Sequence, residues 1–92
     1  MRYIVELLGY SVRDDEYVYI EELSDFGTDF KGAKAYAEDL AFNHTDEVRH
    51  EVMRKSKTLL PFLVDVNRVV NGVGVPMFGY EYDGESVEKV TL

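Results

Sequence analysis

The sequence predicts an α+β domain: a mainly antiparallel, twisted sheet of five to six strands, with one helix near residues 31–43 packed on one face. Three observations carry this reading. Strand formers fill residues 3–12 (YIVELLGYSV) and 16–22 (EYVYIEE), with a polar RDDE between them. One stretch, KGAKAYAEDLAFN, spaces its apolar residues as a helix does. Beyond it strand formers return, punctuated by Asn-Gly and Asp-Gly pairs.

The first two strands read as a hairpin. A loop at Asp14-Asp15, or at Arg13 to Glu16, sets Val12 against Tyr17, Tyr10 against Tyr19 and Leu8 against Glu21. Tyr3, Val5, Leu7, Val18 and Ile20 then form the core-facing row, and Gly9 leaves room for a close approach. The outward row holds Glu6, Tyr10, Tyr17, Tyr19 and Glu21, with Asp14, Asp15 and Glu16 at the tip.

In SDFGTDF, Thr28 or Asp29 stands where a helix N-cap is needed. The helix that follows carries Ala33, Ala37, Leu40 and Ala41 on one face, and small alanines let it lie close to a sheet. The next segment, TDEVRHEVMRKSK, reads as a strand or a short helix-to-strand transition, because Val48, His50 and Val52 alternate. Val48 and Val52 also fit one helix face. A third strand spans Leu59 to Val70, with Phe62, Val64 and Val66 on one side and Leu63, Asp65 and Asn67 on the other. Pro61 belongs near its start.

The glycines of VVNGVGVPMFGY raise the question of a phosphate loop. The dinucleotide fingerprint fails, because Met77 stands where the third glycine should be and the following residues are extended. A P-loop fails for want of Gly-Lys-Ser/Thr. The stretch instead predicts a turn, with a three-residue loop Gly72-Val73-Gly74 that sets Val66 against Tyr80, Val64 against Tyr82 and Arg68 against Phe78. At Asp83-Gly84 a two-residue loop is preferred. It sets Tyr80 against Val87 and Glu81 against Ser86, whereas a four-residue loop would oppose Glu81 to Glu88.

Ninety-two residues suit a single domain over 1–92. The formal net charge of −8 is concentrated in residues 1–30, which carry −6, while residues 31–57 carry +1. Such a balance disfavours phosphate backbones and anionic membranes as partners. The absence of cysteine excludes disulfides, thiolate nucleophiles and Cys-ligated metals. The N-terminus lacks the pattern of a signal peptide and no apolar span reaches membrane length, so a cytoplasmic location is expected.

Catalytic constellations are not legible. His44 and His50 are the available imidazoles; on a helix they point about 240° apart, and on a strand they lie about 20 Å apart. No metal, cofactor or enzymatic activity is expected. Arg49, Arg54, Lys55 and Lys57 form a local basic cluster, read as a surface balancing nearby acids. Tyrosines on a sheet invite base stacking, but Tyr17 and Tyr19 are flanked by Asp14, Asp15, Glu16, Glu21 and Glu22. Direct nucleic-acid binding is therefore not expected.

FGTDFKGAKAYAEDLA resembles the helix of the small sheet-plus-helix domains with which phage integrases bind their arm sites. Those domains are basic and this chain is acidic, so the resemblance implies the packing of a helix on a sheet rather than DNA binding. In composition the chain resembles small phage-encoded inhibitors, including anti-CRISPR and anti-restriction proteins. The expected function is accordingly a small, acidic, protein-binding module without catalysis, an inhibitor whose carboxylates and tyrosines occupy a nucleic-acid-handling protein. Its expected contacts are Glu6, Tyr10, Asp14, Asp15, Glu16, Tyr17, Tyr19 and Glu21. The alternative is a structural protein that forms a homodimer by strand pairing, with SVEKVTL as one candidate edge.

Overall fold

The computed structural model describes residues 1–56 and 61–92. Its elements are β1 (Arg2–Ser11), β2 (Glu16–Asp25), α1 (Phe30–Asn43), α2 (Thr45–Ser56), β3 (Phe62–Val70), β4 (Val73–Tyr82) and β5 (Val87–Thr91). The strands form one five-stranded sheet in the order β2-β1-β3-β4-β5, and every neighbouring pair is antiparallel. Both helices pack on the same face, α1 over β3, β4 and β1, and α2 over β1 and β2. The fold is thus the α+β arrangement the sequence predicts, with two helices in place of one. The expected strand start at Leu59, together with Lys57 and Thr58, lies outside the described residues. No helix among the described residues is long and apolar enough to cross a membrane.

The second helix corrects the strand reading of 45–57. Val48 and Val52 are one helical turn apart, and both are buried in the core. Asp46 and Glu47 in its first turn and Arg54 and Lys55 in its last complement the helix dipole. The alternation of Val48 and Val52 that suggested a strand is also a four-residue repeat, and the four-residue repeat prevails.

Asp29 is the N-cap of α1, and its carboxylate accepts a 2.9 Å hydrogen bond from the Gly32 N–H. A Cβ on Gly32 would collide with that carboxylate, which is why a glycine stands there. Ala33, Ala37 and Ala41 are fully buried against the sheet. Between the helices His44 donates its N–H to the Leu40 carbonyl, and Thr45 donates its hydroxyl to Ala41 at 2.6 Å.

Three registers differ from the expected ones, and each has a local cause. The first hairpin turns one residue earlier, which shifts each partner by two and pairs Ser11 with Glu16, Tyr10 with Tyr17 and Leu8 with Tyr19. The Ser11 hydroxyl meets the Asp14 N–H at 3.2 Å inside the loop, and Asp15 adopts a left-handed φ of 53°, which Asp tolerates. The β3–β4 turn is the two residues Asn71-Gly72, both at positive φ (53° and 78°), as a tight hairpin requires. A bulge beyond it, between Val66 and Asn67, restores the expected faces, so Val64 and Val66 still share a side with Phe78 and Tyr80. The last turn has four residues, and Glu81 does oppose Glu88. Asp83 holds this loop by accepting from the Glu85 and Ser86 N–H groups at 2.8 and 3.0 Å.

Candidate functional site

The sheet face turned away from the helices is the candidate surface. Pairing places Glu6, Leu8 and Tyr10 of β1 on it beside Tyr17, Tyr19 and Glu22 of β2. Leu63, Asp65 and Asn67 of β3 follow, then Gly79 and Glu81 of β4 and Glu88 of β5.

The middle of this face is closely packed. Leu63, Asp65 and Asn67 are each less than 5% exposed (4%, 3% and 3%) although no helix covers them. Part of the reason is Gly79, where a Cβ would lie 2.8 Å from Leu63 Cδ1 and 3.1 Å from the Val64 carbonyl oxygen. Part is the Tyr17 hydroxyl, which donates to Glu81 Oε2 at 2.5 Å. That bond joins β2 to β4 across β1 and β3, about 14 Å of strand spacing. It spans the row in which Leu8 opposes Leu63.

Beside it lies a polar triad. The Asn67 amide donates from Nδ2 to Glu6 Oε1 and to Asp65 Oδ1, both at 2.8 Å. One amide thus serves two carboxylates that directly oppose each other on β1 and β3. Burial, and then the neighbouring Glu6 carboxylate, push the Asp65 carboxyl up to about 7 against the opposing pull of Asn67. Glu6 is also raised, first by burial and then by Glu22, which opposes it on β2. Burial and the bond to Glu81 raise the Tyr17 hydroxyl strongly.

The expected contact residues divide as follows. Glu6, Tyr10, Tyr17 and Tyr19 share the outward face. Tyr10 and Tyr17 meet edge to face with ring centroids 5.7 Å apart, the Tyr10 hydroxyl donates to Asp15, and Tyr19 is 59% exposed. Asp14, Asp15 and Glu16 are exposed at the hairpin tip. Glu21 is the exception and corrects the expected row. A bulge between the Leu7 and Leu8 pairs leaves Ile20 unpaired, so Glu21 opposes Leu7 on the helix side and sits 3.9 Å from Lys55 of α2. Glu22 takes its place outward, opposite Glu6.

Sequence reasoning did not include Glu22, Asp65, Asn67, Glu81 or Glu88 in this surface. The signal for two of them was present: Asp65 and Asn67 interrupt the apolar run FLVDVNRVV on alternate positions, which puts two polar groups side by side on one face.

Positive charge is nearly absent from this face. Among the described residues Arg2 is the one Lys or Arg in an outward register position, and its Nε lies 3.0 Å from Asp25 Oδ2. Arg13 sits in the hairpin turn against Asp14, and Lys89 lies on the helix side with its Nζ 4.7 Å from the Phe78 ring centroid. Arg68 opposes Tyr3 on the helix side, and the other described bases are on α1 and α2. Such a face presents apolar rings and hydrogen-bond acceptors together. No protein-family model, curated protein or solved structure matches the chain.

Proposed function

We propose that the chain is a non-catalytic protein-binding module whose helix-free sheet face docks on a basic surface of a nucleic-acid-handling protein. It would act as small phage-type inhibitors of the anti-CRISPR or anti-restriction kind do. The observation that carries the reading is the segregation of charge. The outward face holds Glu6, Glu22, Glu81 and Glu88 around tyrosines, with one already paired arginine. Tyr10, Tyr17 and Tyr19 add large apolar bodies with polar ends, the side chains favoured at protein interfaces.

The test is capture from nuclease-treated lysate with washes at low and high salt, followed by the variant Asp14→Lys/Asp15→Lys/Glu22→Lys. A nucleic-acid-handling protein held at low salt, released at high salt and lost with the variant is the expected result. Retention of the same protein by the charge-reversed variant would overturn it.

A second reading, a homodimer by strand pairing, is favoured by one feature. β5 ends the sheet and pairs with β4 without a bulge, whereas the opposite edge, β2, carries two bulges. Sedimentation of the pure chain separates the two, because a strand-paired dimer persists at high salt.

A further inference from the structure

A second surface lies on the other side of the sheet. Where α1 and α2 meet the first hairpin, they leave an open groove of about 230 Å³. Its floor is apolar, made by Leu7, Leu23, Tyr36, Leu40 and Val48. Its rim carries Glu21 from β2 with Glu47 and Glu51 from α2, and among the described residues no base lines it.

The bulge at Ile20 shapes this groove. Regular alternation from Tyr17 and Tyr19 would send Glu21 and Leu23 to the outward face. The bulge at Ile20 reverses the alternation and brings Glu21 opposite Leu7. The bulge between the Val5 and Glu6 pairs leaves Leu23 unpaired, packed against the core cluster and lining the groove. Bulges re-aim side chains next to functional sites, and here the bulge at Ile20 turns both Glu21 and Leu23 to the groove side.

We propose that this groove binds an arginine side chain presented by a partner protein, its aliphatic stem on the apolar floor and its guanidinium among Glu21, Glu47 and Glu51. Charge complementarity names the occupant. A purely apolar side chain would strip water from three carboxylates without return, whereas a cation with an apolar stem satisfies both halves. Arginine is favoured over lysine because its guanidinium is weakly hydrated, pairs with carboxylates through parallel N–H bonds and stacks on rings such as that of Tyr36. The rim carboxylates already touch bases outside the groove, Lys55 at 3.9 Å from Glu21, His44 at 3.2 Å from Glu47 and Arg54 at 2.7 Å from Glu51. Exposed pairs of this kind contribute about 0–1 kcal/mol each, so an incoming guanidinium exchanges with them readily.

The experiment is a 15N-HSQC titration of the full chain with N-acetyl-L-arginine methylamide. The matching lysine derivative and the uncharged citrulline derivative serve as comparisons. Saturable shifts at Leu7, Leu23, Tyr36 and Val48 are expected with arginine. A Kd in the millimolar range is the strength of one anchoring side chain. Lysine should bind at least about threefold more weakly, and citrulline should leave these residues unmoved. Glu21→Gln/Glu51→Gln should weaken arginine binding by about tenfold, and Lys55→Ala, which removes the competing base, should tighten it. Each variant's own spectrum reports whether the fold is retained. Shifts that fail to saturate, that fall on the outward sheet face instead, or that citrulline reproduces would overturn the proposal. The titration needs no partner, so its outcome is independent of the docking assigned to the outward face.

Discussion

Asp65 is the residue at which sequence, burial and charge meet most sharply. It lies in the middle strand, 3% exposed, beside a second carboxylate and under one shared amide. Its folded pKa, about 7, stands above its ordinary 3.8, so the folded state retains a proton that the unfolded chain has released. Stability therefore falls as pH rises between those values and is regained on acidification. A group titrating near 7 contributes about 1.4 kcal/mol of this change between pH 6 and 8. His44, raised chiefly by its bond to Glu47, acts in the same direction, since its contribution is full below 6.5 and is lost as pH rises through its folded pKa. Thermal unfolding should accordingly give a higher Tm at pH 6 than at pH 8. Asp65→Asn, which keeps an acceptor for the Asn67 amide, should raise the Tm at pH 8 and reduce the difference. An unchanged pH profile in Asp65→Asn would refute this account. Gly79 gives a second residue-scale expectation. A methyl group there meets the Leu63 side chain and the Val64 carbonyl oxygen. Gly79→Ala should destabilise by about 1–3 kcal/mol in urea melts, as overpacking does.

At the scale of elements, the hairpin turns and the bulges in β2 decide which face each side chain joins. The Asn71-Gly72 turn needs positive φ at both positions. Gly72→Ala, at φ 78° with open space around it, should therefore cost about 1 kcal/mol from backbone strain alone. Denaturant melts check this, and an unchanged midpoint would mean the turn has another geometry. In β2 one unpaired residue, Ile20, moves Glu21 from the tyrosine face to the groove. Deleting Ile20 removes the extra residue and sets Glu21 directly after Tyr19, so Glu21 still opposes Leu7 and the groove keeps its carboxylate. A retained fold with the arginine-induced shifts preserved is the expected outcome in the titration, and their loss would mean that the register of β2 is not the one described.

The whole molecule separates its charges by layer. Helices on one side carry most of the described lysines and arginines, and the opposite sheet face carries carboxylates with almost no positive neighbours. Self-repulsion on that face lowers stability at low ionic strength. Raising salt from about 0.05 to 0.5 M shortens the screening length severalfold and should raise the Tm. A gain near 1 kcal/mol corresponds to about 4–8 °C for a domain of this size. A Tm that does not move would mean that the face's charge is already neutralised, in part by the proton on Asp65.

The sequence by itself determined the class of fold, the helix at 31–43, the presence of a turn near Gly72 though not its two-residue form, and the face on which most strand residues lie. These follow from alternation, helical spacing and turn chemistry, all local properties of the chain. It also placed Glu6, Tyr10, Tyr17 and Tyr19 on one surface, because alternation along β1 and the start of β2 runs uninterrupted there. The tertiary structure decided the remainder. The valines of α2 fit two periods equally, and only packing against β1 and β2 selected the helix. The bulges that moved Glu21, and the long-range bonds from Tyr17 to Glu81 and from Asn67 to Glu6, join residues more than sixty positions apart or shift register by one residue. No local pattern encodes either. A register slip reverses every side chain beyond it, and a hydrogen bond across two intervening strands exists only once the sheet order β2-β1-β3-β4 has formed.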